Sequence, residues 1–370
     1  MDVQLCSWWF LTLFMVLATA GPIAAGLQSR RTNAVIGRSG GRLSLGLLVS
    51  LGLLGVFGLV SLRCGSLITD TATAWQALVD YDPADRYQTA IREFRIGRTI
   101  LAAVAGACLA VSGAVTQGIT RNPLGSPGLL GVNAGAAFAI VSAIFFGGFV
   151  SPLEYVWFAF IGAAGAAALV YAVASVGHAG ATPVKLALAG AVVSALLAAW
   201  TTTLLLVDQE SLEEARFWLA GSVAGRRLED LAWLLPLAAI GLIAAMALGR
   251  QINALTLGDE VARGLGQRTG RVRLAAGAVA VVLAGSAVSI AGPVAFIGLA
   301  VPHLVRAVVG PDYRWIIPYS ALLGPCMLLG ADVVGRVVLR PTEVQVGIVA
   351  AAIGAPFLIY LVRFTKLAEL

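Results

Sequence analysis

"TQGITRNPLGSPGLLGVNAG" runs from Thr116 to Gly135. An apolar run long enough to cross a bilayer lies on each side of it. Between those runs stand Pro123 and Pro127, five glycines, Arg121, Asn122 and Asn133. Asn122-Pro123 and Ser126-Pro127 favour extended or turn backbone, so a helix must end here. Gly125 and Gly128 permit tight turning. Polar, irregular backbone facing lipid is ruinous; it is tolerated when buried in protein or facing a water-filled space. A plain turn on the cytoplasmic side is the simpler alternative. Either way Asn122, Pro123, Pro127 and Gly128 form a structural turn between two membrane helices.

Composition agrees with that setting. The 370 residues are 59% hydrophobic and 12% charged, about half the charge of an ordinary soluble domain. Mean hydropathy is +0.90. Ala and Gly are abundant, as expected where helices pack closely without a hydrophobic effect to drive them together. Ten apolar spans follow from hydropathy: 43–62, 99–118, 129–149, 155–176, 184–207, 231–249, 274–292, 296–309, 315–335 and 346–362. The eighth is short for a full crossing. The expected class is an all-α polytopic membrane protein of about ten transmembrane helices. Residues 1–42 form an N-terminal extension, 43–365 one membrane domain, and 366–370 a C-terminal tail. A further apolar run at 5–26 lacks the basic start of a signal peptide and is an extra helix or an extension.

The formal net charge is +6, and all but Lys185 and Lys366 of the 25 basic residues are Arg. If 27–42 lies inside and the spans alternate, the inner loops are strongly basic and the outer side is net acidic. Basicity therefore marks cytoplasmic loops and does not call for nucleic acid. A gapless offset of 179 aligns 106–123 with 285–302, sharing Gly106/Gly285, Gly113/Gly292, Val115/Val294 and Pro123/Pro302. It is a faint sign of an inverted repeat.

Several chemistries lack their residues. The sequence holds no GxxxxGK[ST] phosphate loop and no HExxH. Its two histidines, His178 and His303, do not make a zinc site alone. The four cysteines lie far apart and read as small apolar residues. No acid falls near the middle of a span, where an ion-coupled carrier would need one. A self-contained secondary transporter or channel is the alternative class.

Two polar stretches remain. "ALTLGDEVARGLGQRTGRVR" (254–273) alternates apolar and charged residues in the longest inner loop. It reads as a short amphipathic helix that offers an apolar face to a soluble partner or lies on the membrane surface. "IREFRIGRT" (91–99) and "LLGADVVGRVVLRPTE" (328–343) place Arg95, Arg98 and Arg336 at outer helix mouths. They go against the charge bias, either as snorkelling side chains or as partners for carboxylates.

Together these stretches resemble the FecCD-type permease subunits of ABC importers for iron-siderophores, haem and cobalamin. The motifs are residues 94–137, "FWLAGSVAG" (217–225), "LGDEVARGLG" (257–266), 291–314, 321–336 and 341–363, in the family's order. One departure stands at Gly97, where the family usually has Pro. The resemblance implies a type II ABC importer permease of the bacterial cytoplasmic membrane, dimeric with an identical or different permease subunit. It implies a chain that binds no cofactor and catalyses nothing, with ATP used by a partner. ATPase subunits would dock on the inner face at a coupling segment of Leu255, Leu257, Gly258, Asp259, Glu260, Ala262, Arg263, Leu265 and Gly266. A substrate-binding protein would dock outside, its acids pairing with Arg95, Arg98 and Arg336.

Overall fold

The computed structural model describes residues 40–65, 69–148, 152–177, 181–339 and 342–364. The 5–26 run, His178 and the 366–370 tail lie outside the described residues. Among those described the fold is all helical. Its helices are α1 (Gly40–Arg63), α2 (Thr71–Val79), α3 (Arg86–Thr120, with a π turn at Ala90–Arg95), α4 (Val132–Gly147), α5 (Pro152–Ser175), α6 (Pro183–Val207), α7 (Gln209–Leu219), α8 (Leu234–Ala247), α9 (Gly249–Thr256), α10 (Asp259–Gly264), α11 (Thr269–Ala291), α12 (Ile297–Val309), α13 (Tyr313–Val338) and α14 (Val346–Phe364).

Each of the ten apolar runs lies on a helix. Among the described residues six are long and apolar enough to cross a membrane: α1, α3, α5, α6, α11 and α13. The 231–249 run ends at a 52° bend between α8 and α9, and this pair counts as a seventh span if taken together. At the bend a Cβ at Gly249 would sit 3.3 Å from the Arg314 Cα, so α9 begins in close contact with the start of α13. α4, α12 and α14 are shorter apolar helices. α1 and α6 leave long apolar flanks uncovered, including Leu45, Leu48, Val184, Leu188 and Leu196. A soluble protein does not carry such surface; lipid tolerates it.

The centre of the bundle is α3, which packs on α13, α11 and α12. Small residues make this possible. A Cβ at Gly106 would lie 2.6 Å from the Gly324 carbonyl oxygen of α13, and one at Gly113 would overlap the Gly298 carbonyl of α12. Backbones thus meet directly, the packing expected where dispersion rather than water drives association. Cys108 and Cys326 are buried among apolar neighbours.

The 179-residue offset does not persist as a structural register. It pairs helix with helix as far as Ser112 and Ala291. Beyond that α3 continues to Thr120, whereas α11 ends at Ala291.

The Pro/Gly stretch resolves into a folded turn. α3 ends at Arg121, a left-handed residue with φ 49°. The Asn122 N–H donates back to the Gln117 carbonyl, the Asn122 side chain accepts from Leu124 N at 2.9 Å, and Gly125 N donates to Asn122 O at 2.8 Å. A 3-10 turn follows at Pro127–Leu130, and Gly131 (φ 75°) starts α4. The turn is wedged into protein, because Gly190 of α6 meets the Leu129 carbonyl and Gly298 of α12 meets the Pro127 ring. The N–H groups of Arg121, Asn122, Leu124, Gly125, Leu129 and Gly131 find acceptors within the chain, as burial in a membrane protein favours.

Candidate functional site

Two polar clusters stand at opposite ends of the bundle. The first lies at the end that the charge bias places outside. Helix α1 finishes there, and the last carbonyls of a helix have no partner of their own. Arginines from two other helices supply one. Arg95 Nη1 donates to Leu62 O at 2.8 Å and Arg63 O at 3.0 Å. Arg336 Nη1 donates to Ser61 O at 3.0 Å and Cys64 O at 2.7 Å, and its Nη2 donates to Ser61 Oγ. Cations are favoured at helix C-termini.

Asp332 ties the cluster together. Its carboxylate pairs with Arg336 of its own helix at 2.9 Å and with Arg98 of α3 at 2.8 Å. Arg98 also reaches Glu343, at 2.8 Å. The Asp332 and Arg336 side chains are 3% and 2% exposed, so the charges persist only because they are paired.

The structure places Arg95 and Arg336, which the resemblance assigns to binding-protein docking, in the interior of this chain. Both are buried and hold the end of α1, so neither presents its guanidinium outward. Arg98 and Glu343 remain at the rim, 15% and 32% exposed. Sequence reasoning missed Asp332 and Glu343. The signal was present as Asp332 and Arg336 at i, i+4 spacing on one helix face.

The second cluster is the α9–α10 segment. It is two helices rather than one, because the chain breaks at Gly258, whose φ of 107° no L residue adopts without strain. The break sorts the expected docking residues. Leu255 and Ala262 are buried in this chain. Leu257, Val261 and Leu265 are 63%, 50% and 67% exposed and form the apolar facet, with Glu260, Arg263 and Gly266 beside them.

Polar contacts fix the segment to the bundle. Asn253 Nδ2 donates to Asp312 Oδ1 at 2.6 Å, and Asn253 Oδ1 accepts from Tyr313 N at 2.8 Å. Asp312 caps α13 and accepts from Arg314 N, Nε and Nη2. Burial pushes the Asp312 carboxyl up, but the bonds from Arg314 and Asn253 outweigh it and hold it below the usual carboxylate range. Asp259 pairs with Arg273 of α11 at 2.8 Å. Gln267 Nε2 donates to Gln251 O at 2.9 Å, closing the segment on itself. Arg121, at the start of the Pro/Gly turn, brings its Nη1 within 3.6 Å of a Cβ built at Gly258.

Among the described residues no group of three His, Cys, Asp or Glu side chains is placed to hold a metal ion.

The model of the FecCD transport family matches residues 53–364. The chain belongs to the FecCD transport family. It is 45% identical over 313 residues to the probable siderophore transport system permease protein YfiZ of Bacillus subtilis, covering 83% of this chain and 94% of that one. It is 43% identical over 275 residues to the ferric enterobactin transport system permease protein FepD of Escherichia coli, covering 74% and 82%. It is 35% identical over 335 residues to the hemin transport system permease protein HmuU of Yersinia pestis, covering 88% and 97%. A solved inward-facing conformation of a metal-chelate type ABC transporter superposes with a TM-score of 0.76 at 29% identity, covering 88% of this chain and all of that one. The chain is therefore a multi-pass membrane permease of ABC importer type. Its relatives are transport subunits, which agrees with a role that breaks no covalent bond.

Proposed function

We propose that this chain is the transmembrane permease subunit of an ABC importer that carries an iron-siderophore chelate, or a haem or cobalamin chelate, across the cytoplasmic membrane. The observation that carries the reading is the family match over 53–364, with relatives named for siderophore, enterobactin and hemin transport. ATP is bound and spent by separate ATPase subunits; this chain holds no cofactor. Those subunits grip the facet of Leu257, Val261 and Leu265 on the inner face. A second permease subunit completes the path, and a substrate-binding protein delivers cargo outside. Arg98 and Glu343 are the side chains of the outer cluster that meet it. Arg95 and Arg336 are positioning residues that hold α1 and orient Asp332.

Transport follows as alternating access. Closure of the ATPase pair moves α9 and α10, and their fixed contacts to α11 and α13 carry that motion into the bundle. The cargo crosses without chemistry.

The test is uptake into proteoliposomes of a radiolabelled ferric siderophore. Permease with its ATPase, binding protein and ATP should accumulate label; permease alone under a proton or sodium gradient should not. Accumulation by the permease alone would make the chain a secondary transporter and end this reading.

A further inference from the structure

An apolar cavity of about 390 Å³ lies between α5, α6 and α11, with Ile119 of α3 and Leu130 closing its back. Its walls are small and apolar, as at Ala164, Ala168, Gly277, Ala278 and Val281. On α11 the lining residues run from Arg273 to Val282. At 1.5 Å per residue that is a groove of about 13 Å along the helix axis. Leu274 lines it and is itself half exposed, so the mouth opens on the outer surface of the bundle.

One end of the groove is charged. Arg273 lines it and is 8% exposed. Its Nη2 is held by Asp259, its Nη1 reaches Ala181 O at 3.3 Å, and its buried Nε has no acceptor among the described residues. Lys185 directly precedes Leu186, the α6 residue that lines the groove, and anchors its Nζ on Val176 O. The charge bias puts this end in the cytoplasmic half of the bilayer, the leaflet whose surface is anionic. A long apolar slot, open at the surface of the bundle and closed by a cation, matches one chemistry. That chemistry is an acyl chain carrying an acidic head.

We infer that the α5–α6–α11 groove is a binding site for an anionic phospholipid of the inner leaflet, its acyl chain in the groove and its phosphate over Arg273 and Lys185. Arg273 also holds Asp259, so the lipid head sits one ion pair from the α10 segment. The site does not depend on which cargo is carried, nor on the ATPase reading.

The test is lipid retention by the full-length permease. The protein is placed in nanodiscs of equal phosphatidylglycerol and phosphatidylcholine, extracted gently, and weighed by native mass spectrometry. Retained phosphatidylglycerol should exceed phosphatidylcholine by about tenfold or more, as two cations near the head imply. Ala168→Phe and Gly277→Phe fill the groove and should lose both lipids. Lys185→Gln should lose the preference while keeping a neutral lipid, and it spares the Arg273–Asp259 pair should Arg273→Gln fail to fold. A diazirine-tailed phosphatidylglycerol should label peptides 164–172 and 274–282. Equal retention of the two lipids, unchanged retention by both filled-groove variants, or labelling confined to other peptides would overturn the assignment. So would crosslinks joining this groove to residues 1–39 or to a second copy of the chain.

Discussion

Replacing Asp332 with Asn keeps the side-chain volume and removes one charge from the outer cluster. The cost falls mainly on Arg336. That side chain is 2% exposed and has Asp332 as its counter-ion at 2.9 Å. A buried cation stripped of its counter-ion costs about 3–5 kcal/mol. Arg98 is spared the full loss because it keeps Glu343, a half-exposed partner worth about 0–1 kcal/mol. Arg336→Met is the partner variant. It removes the same ion pair together with the donors to Ser61 O and Cys64 O, leaving the end of α1 without that cap. Because both variants delete one shared contact, the double variant should cost less than the sum of the singles by about 1–3 kcal/mol. The assay is an SDS titration of the purified permease in mild detergent, followed by tryptophan fluorescence. Two results would refute the reasoning. One is a loss below about 1 kcal/mol for Asp332→Asn, which would put the cluster in the surface-pair regime. The other is additivity within about 0.5 kcal/mol, which would mean the two side chains do not share an interaction.

Further expectations concern the core, the inner facet and pH. Gly113→Leu should force α3 and α12 apart at Gly298, cost at least about 1–3 kcal/mol, and show as reduced yield of monodisperse protein by size-exclusion chromatography. Leu257→Glu with Leu265→Glu should leave thermal unfolding of the permease unchanged yet abolish co-purification of the ATPase, since both side chains are exposed; retained co-purification would remove the facet from the interface. Asp312→Ala should destabilise by about 1 kcal/mol at neutral pH through loss of the α13 cap. The folded-state carboxyl of Asp312 titrates below its ordinary value of 3.8. Its contribution is therefore complete above that value and is lost as pH falls through the depressed one. Wild type and Asp312→Ala should converge in acid, and a gap that widened there would contradict the assignment.

The spans were legible because each is a long apolar run, and no tertiary contact is needed to see one. What stayed hidden depended on contacts between distant residues. Residues 86–98 look like a polar loop, with Arg86, Arg92, Glu93, Arg95 and Arg98 in one short stretch. They are the first turns of α3, because the α1 carbonyls and Asp332 satisfy Arg95 and Arg98 from far along the chain. The bend at Leu248 falls where the apolar run gives way to the polar α9, but the contact of α9 with the backbone of α13 was invisible. In the 255–266 segment the glycines were visible. Which leucine faces out was not, because the break at Gly258 resets the helical phase between Leu255 and Val261. Arg95 and Arg336 show the limit most plainly: an arginine at a helix mouth reads the same whether it greets a partner or caps its own neighbour.

Helix α13 is held by a polar clasp near each extremity, Asp312 with Asn253 at one and Asp332 with Arg98 at the other. Between them it carries Pro318 and Pro325. Each proline lacks the N–H that would bind the carbonyl four residues earlier, at Arg314 and Ala321. A push arriving from the α9 side therefore meets a rod pinned at its far end and weakest in its nearer half. Such a rod bows before it slides, so the cytoplasmic portion of the bundle can rearrange while the external mouth keeps its shape.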